Sequence, residues 1–233
     1  MPGARLSPLG PDIWLADGPT VTVLGFRYPT RMAVIRLGSG GLLIWSPVAL
    51  DPELQAELAD LGPVAHIVAP NALHHLSVLQ WHQAFAQARL YAAPGLPAKR
   101  RDIPFDRTLG EAPDPAWVAE VDQVLIRGNL ITTEAVFLHR ATGTVLFTDL
   151  LQGFPPDWFS GWRRAVARLD GVVGAEPAVP RKFRLAFQDR KIARSGVRRV
   201  LGWPAQRLVM AHGPVVTEDV AGLLTRAFGW LRV

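Results

Sequence analysis

The chain has 233 residues, of which 49% are hydrophobic and 19% charged, with a formal net charge of +5. That is enough apolar material for one large core, so a single domain over residues 1–233 is expected. The lack of cysteine excludes disulfides and thiolate metal sites, and no apolar run approaches the ~18–20 residues that cross a bilayer. Met1-Pro2-Gly3-Ala4-Arg5 lacks the apolar region of a secretory signal. The expectation is therefore a cytoplasmic protein without a membrane partner, ordered except at its first few residues.

The N-terminal third reads as strands. Asp12 to Asp17 and Thr20 to Phe26 are separated by Gly18-Pro19, and Arg31 to Leu37 and Gly41 to Trp45 flank the turn residues Gly38-Ser39-Gly40. Their near-continuous apolar runs predict sheets covered on at least one face. Asp51 and Pro52 then open a helix carrying Leu54, Leu58 and Leu61 on one face, and Gly62 closes it. Val64 to Ala69 is a buried strand, His75 to about Ala88 a helix, and Arg89 to Ala93 a strand, an alternation that predicts α/β layering.

Pro94 to Trp117 is proline-rich and reads either as a long ordered loop near a site or as an insertion. Strands follow at Val121 to Arg127, Glu134 to Arg140 and Thr144 to Thr148, the last two joined by Ala141-Thr142-Gly143. Asp157 caps a predicted helix whose Trp158, Trp162, Val166 and Leu169 share one face, read as core packing. Asp189 to Leu201 is an Arg-rich helix and Arg207 to Ala211 a strand. Thr217 begins a last amphipathic helix through Val220, Leu224, Ala227 and Leu231.

Charge is unevenly placed. Nine basic residues and one acid, Asp189, lie between Arg181 and Arg207, so that segment carries +8 and the remainder −3. Either it is an anion-facing or nucleic-acid-facing surface, with Arg194, Arg198 and Arg199 as its candidates, or it is a solvated helix face in a chain that uses Arg far more than Lys.

The candidate site comes from strand ends. His74-His75 follow the strand Val64–Ala69, Asp149 follows Val145-Leu146-Phe147-Thr148, and His212 follows Leu208-Val209-Met210-Ala211. Open α/β folds place ligands at the carboxyl ends of their strands. Three imidazoles and a carboxylate suit zinc or another divalent metal, with Asp149 either ligating or orienting a water. Against this stands the reading in which each residue only caps a turn or packs. Glu134 and His139 fall on opposite faces of one strand, so one at most faces the cleft. His139 is the better expected partner of Asp149, with Asn71 the other supporting residue, and Glu134 reads as structural. His66 and His82 read as packing or surface residues.

The order of elements and of these positions resembles the metallo-β-lactamase superfamily across about Asp12 to Trp230. The resemblance implies a four-layer αββα sandwich. Thr144-Val145-Leu146-Phe147-Thr148-Asp149 is similar to the family strand that ends in a metal-bridging aspartate, and Val209-Met210-Ala211-His212-Gly213 to its late histidine turn. The family's H-x-H-x-D-H is replaced by Pro70-Asn71-Ala72-Leu73-His74-His75, which lacks both early histidines and has His74 at the aspartate. The H-x-P-G-H histidine, near Arg127-Gly128-Asn129, is also missing. Pro-Asn-x-x-His-His, together with Asp17-Gly18-Pro19, resembles a branch of the superfamily without a settled activity.

The surviving residues imply one divalent metal, zinc by the resemblance, held by His74, His75, Asp149 and His212, or else no metal at all. A mononuclear hydrolase of ester, amide or phosphoester bonds, with metal-activated water as nucleophile, is the first functional expectation. The alternatives are a non-catalytic descendant that binds a small molecule or protein partner, and nucleic-acid or anion binding through Arg181–Arg207. Substrate and oligomeric state are not written in the sequence.

Overall fold

The computed structural model describes residues 5–233. The expectation of disorder at the extreme N-terminus falls on residues 1–4, outside that range. Seven strands form one sheet in chain order: β1 (Ser7–Gly10), β2 (Ile13–Val23), β3 (Phe26–Arg36), β4 (Leu42–Trp45), β5 (Val64–Ala69), β6 (Arg89–Ala92) and β7 (Arg107–Thr108). The first four run antiparallel to their neighbours, and β4 to β7 are parallel. Strands β8 (Val121–Ile126), β9 (Glu134–His139), β10 (Thr144–Phe147) and β11 (Arg207–Met210) make a second sheet, ordered β11-β10-β9-β8. Within it β10 and β11 are parallel and the other pairs antiparallel.

The apolar runs sort by alternation into separate cores. In β4, Leu43 and Trp45 face the second sheet together with Val68 and Tyr91, whereas Leu42 and Ile44 face helices α1 (Pro52–Leu61), α2 (Val78–Ala84) and α3 (Leu96–Lys99). In the second sheet, Phe137, Leu146 and Val209 point into the shared core. Leu138, Phe147 and Met210 point to α5 (Arg181–Ala186), α6 (Arg190–Leu201) and α7 (Val220–Phe228). Two sheets, each covered outside by helices, are the four layers of the αββα expectation, and they explain why central strands such as β4, β9 and β10 are buried along their whole length.

Local signals held where a cap or turn residue has no alternative. Asp51 accepts the Leu54 amide at 2.8 Å and Pro52 opens α1. Gly38-Ser39-Gly40 joins β3 to β4 through Leu37 N–H to Gly41 O.

Several expectations are corrected. Gly18-Pro19 does not separate two strands: β2 runs through it with a register shift between Gly18 and Val21. Helix α2 begins only at Val78, which leaves His74 and His75 on the loop after β5. The helix expected from Asp157 is α4 (Gly161–Asp170), and its apolar stripe is not core. Trp162 is 60% exposed and Leu169 65%, and Trp158 and Val166 are exposed as well. The last helix starts at Val220 rather than Thr217. No helix among the described residues is long and apolar enough to cross a membrane.

Candidate metal site

Strands β4, β5, β10 and β11 all end at the same side of the molecule, and the loops after them supply the site. After β5, Pro70 accepts the Ala135 amide at 2.8 Å, which ties that loop to the second sheet. Buried Asn71 follows. Its Oδ1 accepts the amides of Leu73 and His74 at 2.8 and 2.9 Å, an Asx turn that presents the His74 ring. Its Nδ2 donates to Asp149 Oδ2 at 2.7 Å and to Thr148 Oγ1 at 2.8 Å. One side chain therefore positions two candidate ligands.

His74, Asp149 and His212 converge. His74 Nε2 lies 3.1 Å from His212 Nε2 and 3.3 Å from Asp149 Oδ2, and His212 Nε2 lies 3.6 Å from Asp149 Oδ1. The outer nitrogens are occupied. His212 Nδ1 lies 2.6 Å from the Pro29 carbonyl, which can only accept, so Nδ1 carries a proton and Nε2 is the nitrogen that faces the cluster. His74 Nδ1 meets Ser46 Oγ at 2.8 Å. Burial alone would raise the Asp149 pKa, but His74 and His212 outweigh it and hold the carboxyl well below its usual range.

These donors fit a metal ion. Tetrahedral ligands ~2.0–2.1 Å from zinc lie roughly 3.3 Å apart, and the three observed separations bracket that distance. An imidazole lone pair and a carboxylate facing each other at such range need a cation or a shared proton between them. Three N/O donors with an open side is the pattern of a catalytic rather than a structural zinc site. Among the described residues these three form the one His/Asp/Glu group close enough to hold an ion.

His75, expected as a fourth ligand, is not in the group. Its Nδ1 faces the Arg100 guanidinium at 2.7 Å. Burial, then Lys99 and Arg100, lower its pKa to about 4, so the ring is neutral near pH 7. A lone pair already accepting from arginine is not offered to a metal.

The expected roles of His139 and Glu134 are exchanged. His139 pairs with Thr144 at the far end of the β9–β10 hairpin and bonds Thr142 Oγ1 at 2.8 Å. Fully buried Glu134 lies at the site end and accepts the amides of Thr148, Asp149 and Leu150 at 2.7, 2.8 and 2.9 Å. Burial first, and the Asp149 carboxylate second, raise its pKa. The signal was present in the sequence: a tight turn at Ala141-Thr142-Gly143 sets residue 139 opposite 144 and carries 134 level with 149.

Other supports were missed entirely. Ser46 has φ +54°, a backbone conformation rare for serine, and holds His74. Arg31 bonds Asp17 at 2.7 Å and donates to the carbonyls of Met210 and Gly213 at 3.1 and 2.6 Å, fixing the His212 turn. Asp17-Gly18-Pro19 thus acts on the site from a distance. A Cβ at Gly18 would sit 2.5 Å from Thr30 Oγ1 and 2.6 Å from Val48, so only glycine fits.

The Arg-rich segment is divided. Arg194 donates to Leu231 O, Arg199 reaches the Glu111 and Gln123 carbonyls, Arg198 is exposed, and Arg181 and Lys182 line the cavity beside the cluster. At the position of the missing H-x-P-G-H histidine, Asn129 donates to Phe183 O and is not part of the cluster.

The fold is that of the metallo-β-lactamase superfamily. The chain aligns with the DIM-1 metallo-β-lactamase exposed to ceftazidime at TM-score 0.67 and 12% identity, covering 99% of this chain and 97% of that one. A metallo-β-lactamase from Pontibacter korlensis gives 0.63 and 13%, over 98% and 99%. The FIM-1 enzyme from Pseudomonas aeruginosa in its mono-zinc form gives 0.62 and 13%, over 99% and 97%. Within that fold the chain belongs to the family described as a domain of unknown function, DUF4336, whose model matches residues 11–158. No curated protein matches it.

Proposed function

We propose that the protein is a mononuclear metal-dependent hydrolase of ester, amide or phosphoester bonds, with zinc held by His74, Asp149 and His212. The observation that supports this is the convergence of those three donors in the lining of an open cavity of about 980 Å³, each held from behind by a separate partner. A bound divalent ion there supplies Lewis acidity and lowers the pKa of a coordinated water toward 7.

The protein's own contribution is orientation. Pro29 O fixes the His212 tautomer, Ser46 holds His74, Asn71 fixes Asp149, and Glu134 collects the amides of the turn that carries Asp149. Such supporting contacts are worth ~10–100-fold in metal affinity or activity. The mono-zinc form of the FIM-1 enzyme shows that a protein of this fold is found with a single zinc. The loss of the family's early histidines agrees with one ion rather than two.

The test is hydrolysis of a panel of chromogenic carboxylic esters, amides and phosphodiesters by zinc-loaded protein, beside His212→Ala and Asp149→Asn. Turnover that needs zinc and is lost in both variants is expected. Zinc uptake without turnover of any panel member would favour a binding descendant of the fold.

A further inference from the structure

Two residues of the exposed α4 stripe, Val166 and Leu169, line the cavity. Beside them are Phe159 before the helix, Leu185 of α5, and Val21 and Phe26 of the β2–β3 hairpin. Phe26 meets Phe159 edge-on at 5.7 Å and Trp162 of α4 at 5.5 Å, so the hairpin packs against this segment, and the apolar part of the cavity is the slot beside these contacts. The His74–Asp149–His212 cluster opens into the same cavity.

We infer that this slot seats an extended aliphatic acyl chain, and that the substrate is a carboxylic ester or thioester of that chain. The position of its carbonyl at the cluster rests on the hydrolase reading above; the seat for the chain does not. Hydrolysis would break the acyl C–O or C–S bond and form a new acyl C–O bond to water oxygen. One water proton passes to the leaving oxygen or sulfur, and the fatty acid carries the other until it ionises.

Chemistry selects the occupant. The six lining Val, Leu and Phe side chains named above offer no hydrogen-bond donor or acceptor, so a sugar, nucleotide or phosphodiester lying along them would lose its water partners without replacement. An alkyl chain loses nothing there and gains by burial. Of the cations that line the cavity, Lys182 is already partnered, its Nζ 3.3 Å from Tyr28 Oη and 3.5 Å from Asp170, and Lys99 Nζ donates to Ala72 O. The volume is at the upper end of the ~300–1,000 Å³ usual for small-molecule sites, which suits a long ligand. Leu169 and Leu185 are 65% and 75% exposed, apolar surface of the kind that marks a binding groove when it is contiguous.

The test begins with calorimetric titration of hexanoate, octanoate, decanoate and dodecanoate into chelator-treated protein. Affinity is expected to rise roughly two- to fourfold per added methylene. Val166→Glu and Leu169→Glu, at partly exposed positions, are expected to weaken dodecanoate binding tenfold or more while leaving thermal unfolding and zinc uptake as in the wild type. On zinc-loaded protein, kcat/KM for p-nitrophenyl esters is expected to climb from butanoate to decanoate.

Affinity independent of chain length, or a wild-type slope in both variants, would overturn the proposal. So would a solution dimer abolished by Leu169→Glu together with a flat slope, since a second copy would then cover the wall. A normal slope without zinc uptake would sink the hydrolase reading and leave the acyl seat standing.

Discussion

Glu134 Oε2 accepts the backbone amide of Asp149 at 2.8 Å, and the same buried carboxyl also takes the amides on either side of it. The candidate ligand thus sits on a turn whose backbone is fixed by a residue on the neighbouring antiparallel strand.

Removing that acceptor orphans three buried donors. Glu134→Ala is expected to destabilise the fold by about 3 kcal/mol or more, since each unsatisfied buried donor costs ~1–3 kcal/mol. Glu134→Gln keeps one oxygen but turns an amide nitrogen toward the same N–H groups, so an intermediate loss is expected. Urea unfolding of the metal-free protein measures both. A loss under 0.5 kcal/mol, taken as roughly the effect of an ordinary surface substitution, would show that the turn holds itself.

Asn71 positions His74 and Asp149 together. Asn71→Ala is expected to lower zinc affinity ~10–100-fold. His139→Ala, at the far end of the hairpin, is expected to leave it unchanged. Competition against a zinc chelator in both variants compares them directly.

His75 stands beside a ligand in the sequence and outside the ligand set in space. His75→Ala is expected to retain zinc uptake, whereas His74→Ala is expected to lose it. Equal loss in the two would mean that the loop after β5 rearranges when metal arrives and brings the second ring in.

Burial lowers the His139 pKa below 6.5, and Asp12 and Glu120 offset only part of this. A lowered value in the folded state means that the unfolded chain takes up the proton first, so stability is present above about 6.5. It is lost as pH falls from there through the folded-state value. His139→Gln is expected to flatten part of that decline in metal-free protein, read as thermal midpoint against pH. Identical slopes would assign the decline to other groups, such as His66, whose pKa is lowered by burial in the same direction.

The layered fold was legible from the apolar runs, the Asp51-Pro52 cap and the Gly38-Ser39-Gly40 turn, whereas Gly18-Pro19 has the composition of a turn and lies inside β2. His74, Asp149 and His212 were legible as strand ends. The remaining features depend on what packs against what. His75 has the same chemistry as His74, and only the placement of Arg100, twenty-five residues on, separates them. Val166 and Leu169 belong to a stripe with the period of a core face, and periodicity does not distinguish a wall of a cavity from a wall of a core. Glu134 is legible from hairpin register, which sets it beside Asp149, and not from residue type, which favours His139. Arg31 acts on carbonyls about 180 residues away, a contact with no local trace.

The account depends on one cation bound by three side chains. Equilibrating chelator-treated protein with zinc, removing the excess and measuring metal per chain tests this directly in the wild type, His74→Ala, His212→Ala and Asp149→Asn. One zinc per wild-type chain, and near none in each folded variant, is the expected result. A wild-type value near zero, or one zinc retained in all three variants, would contradict the assignment of His74, Asp149 and His212 as the metal site.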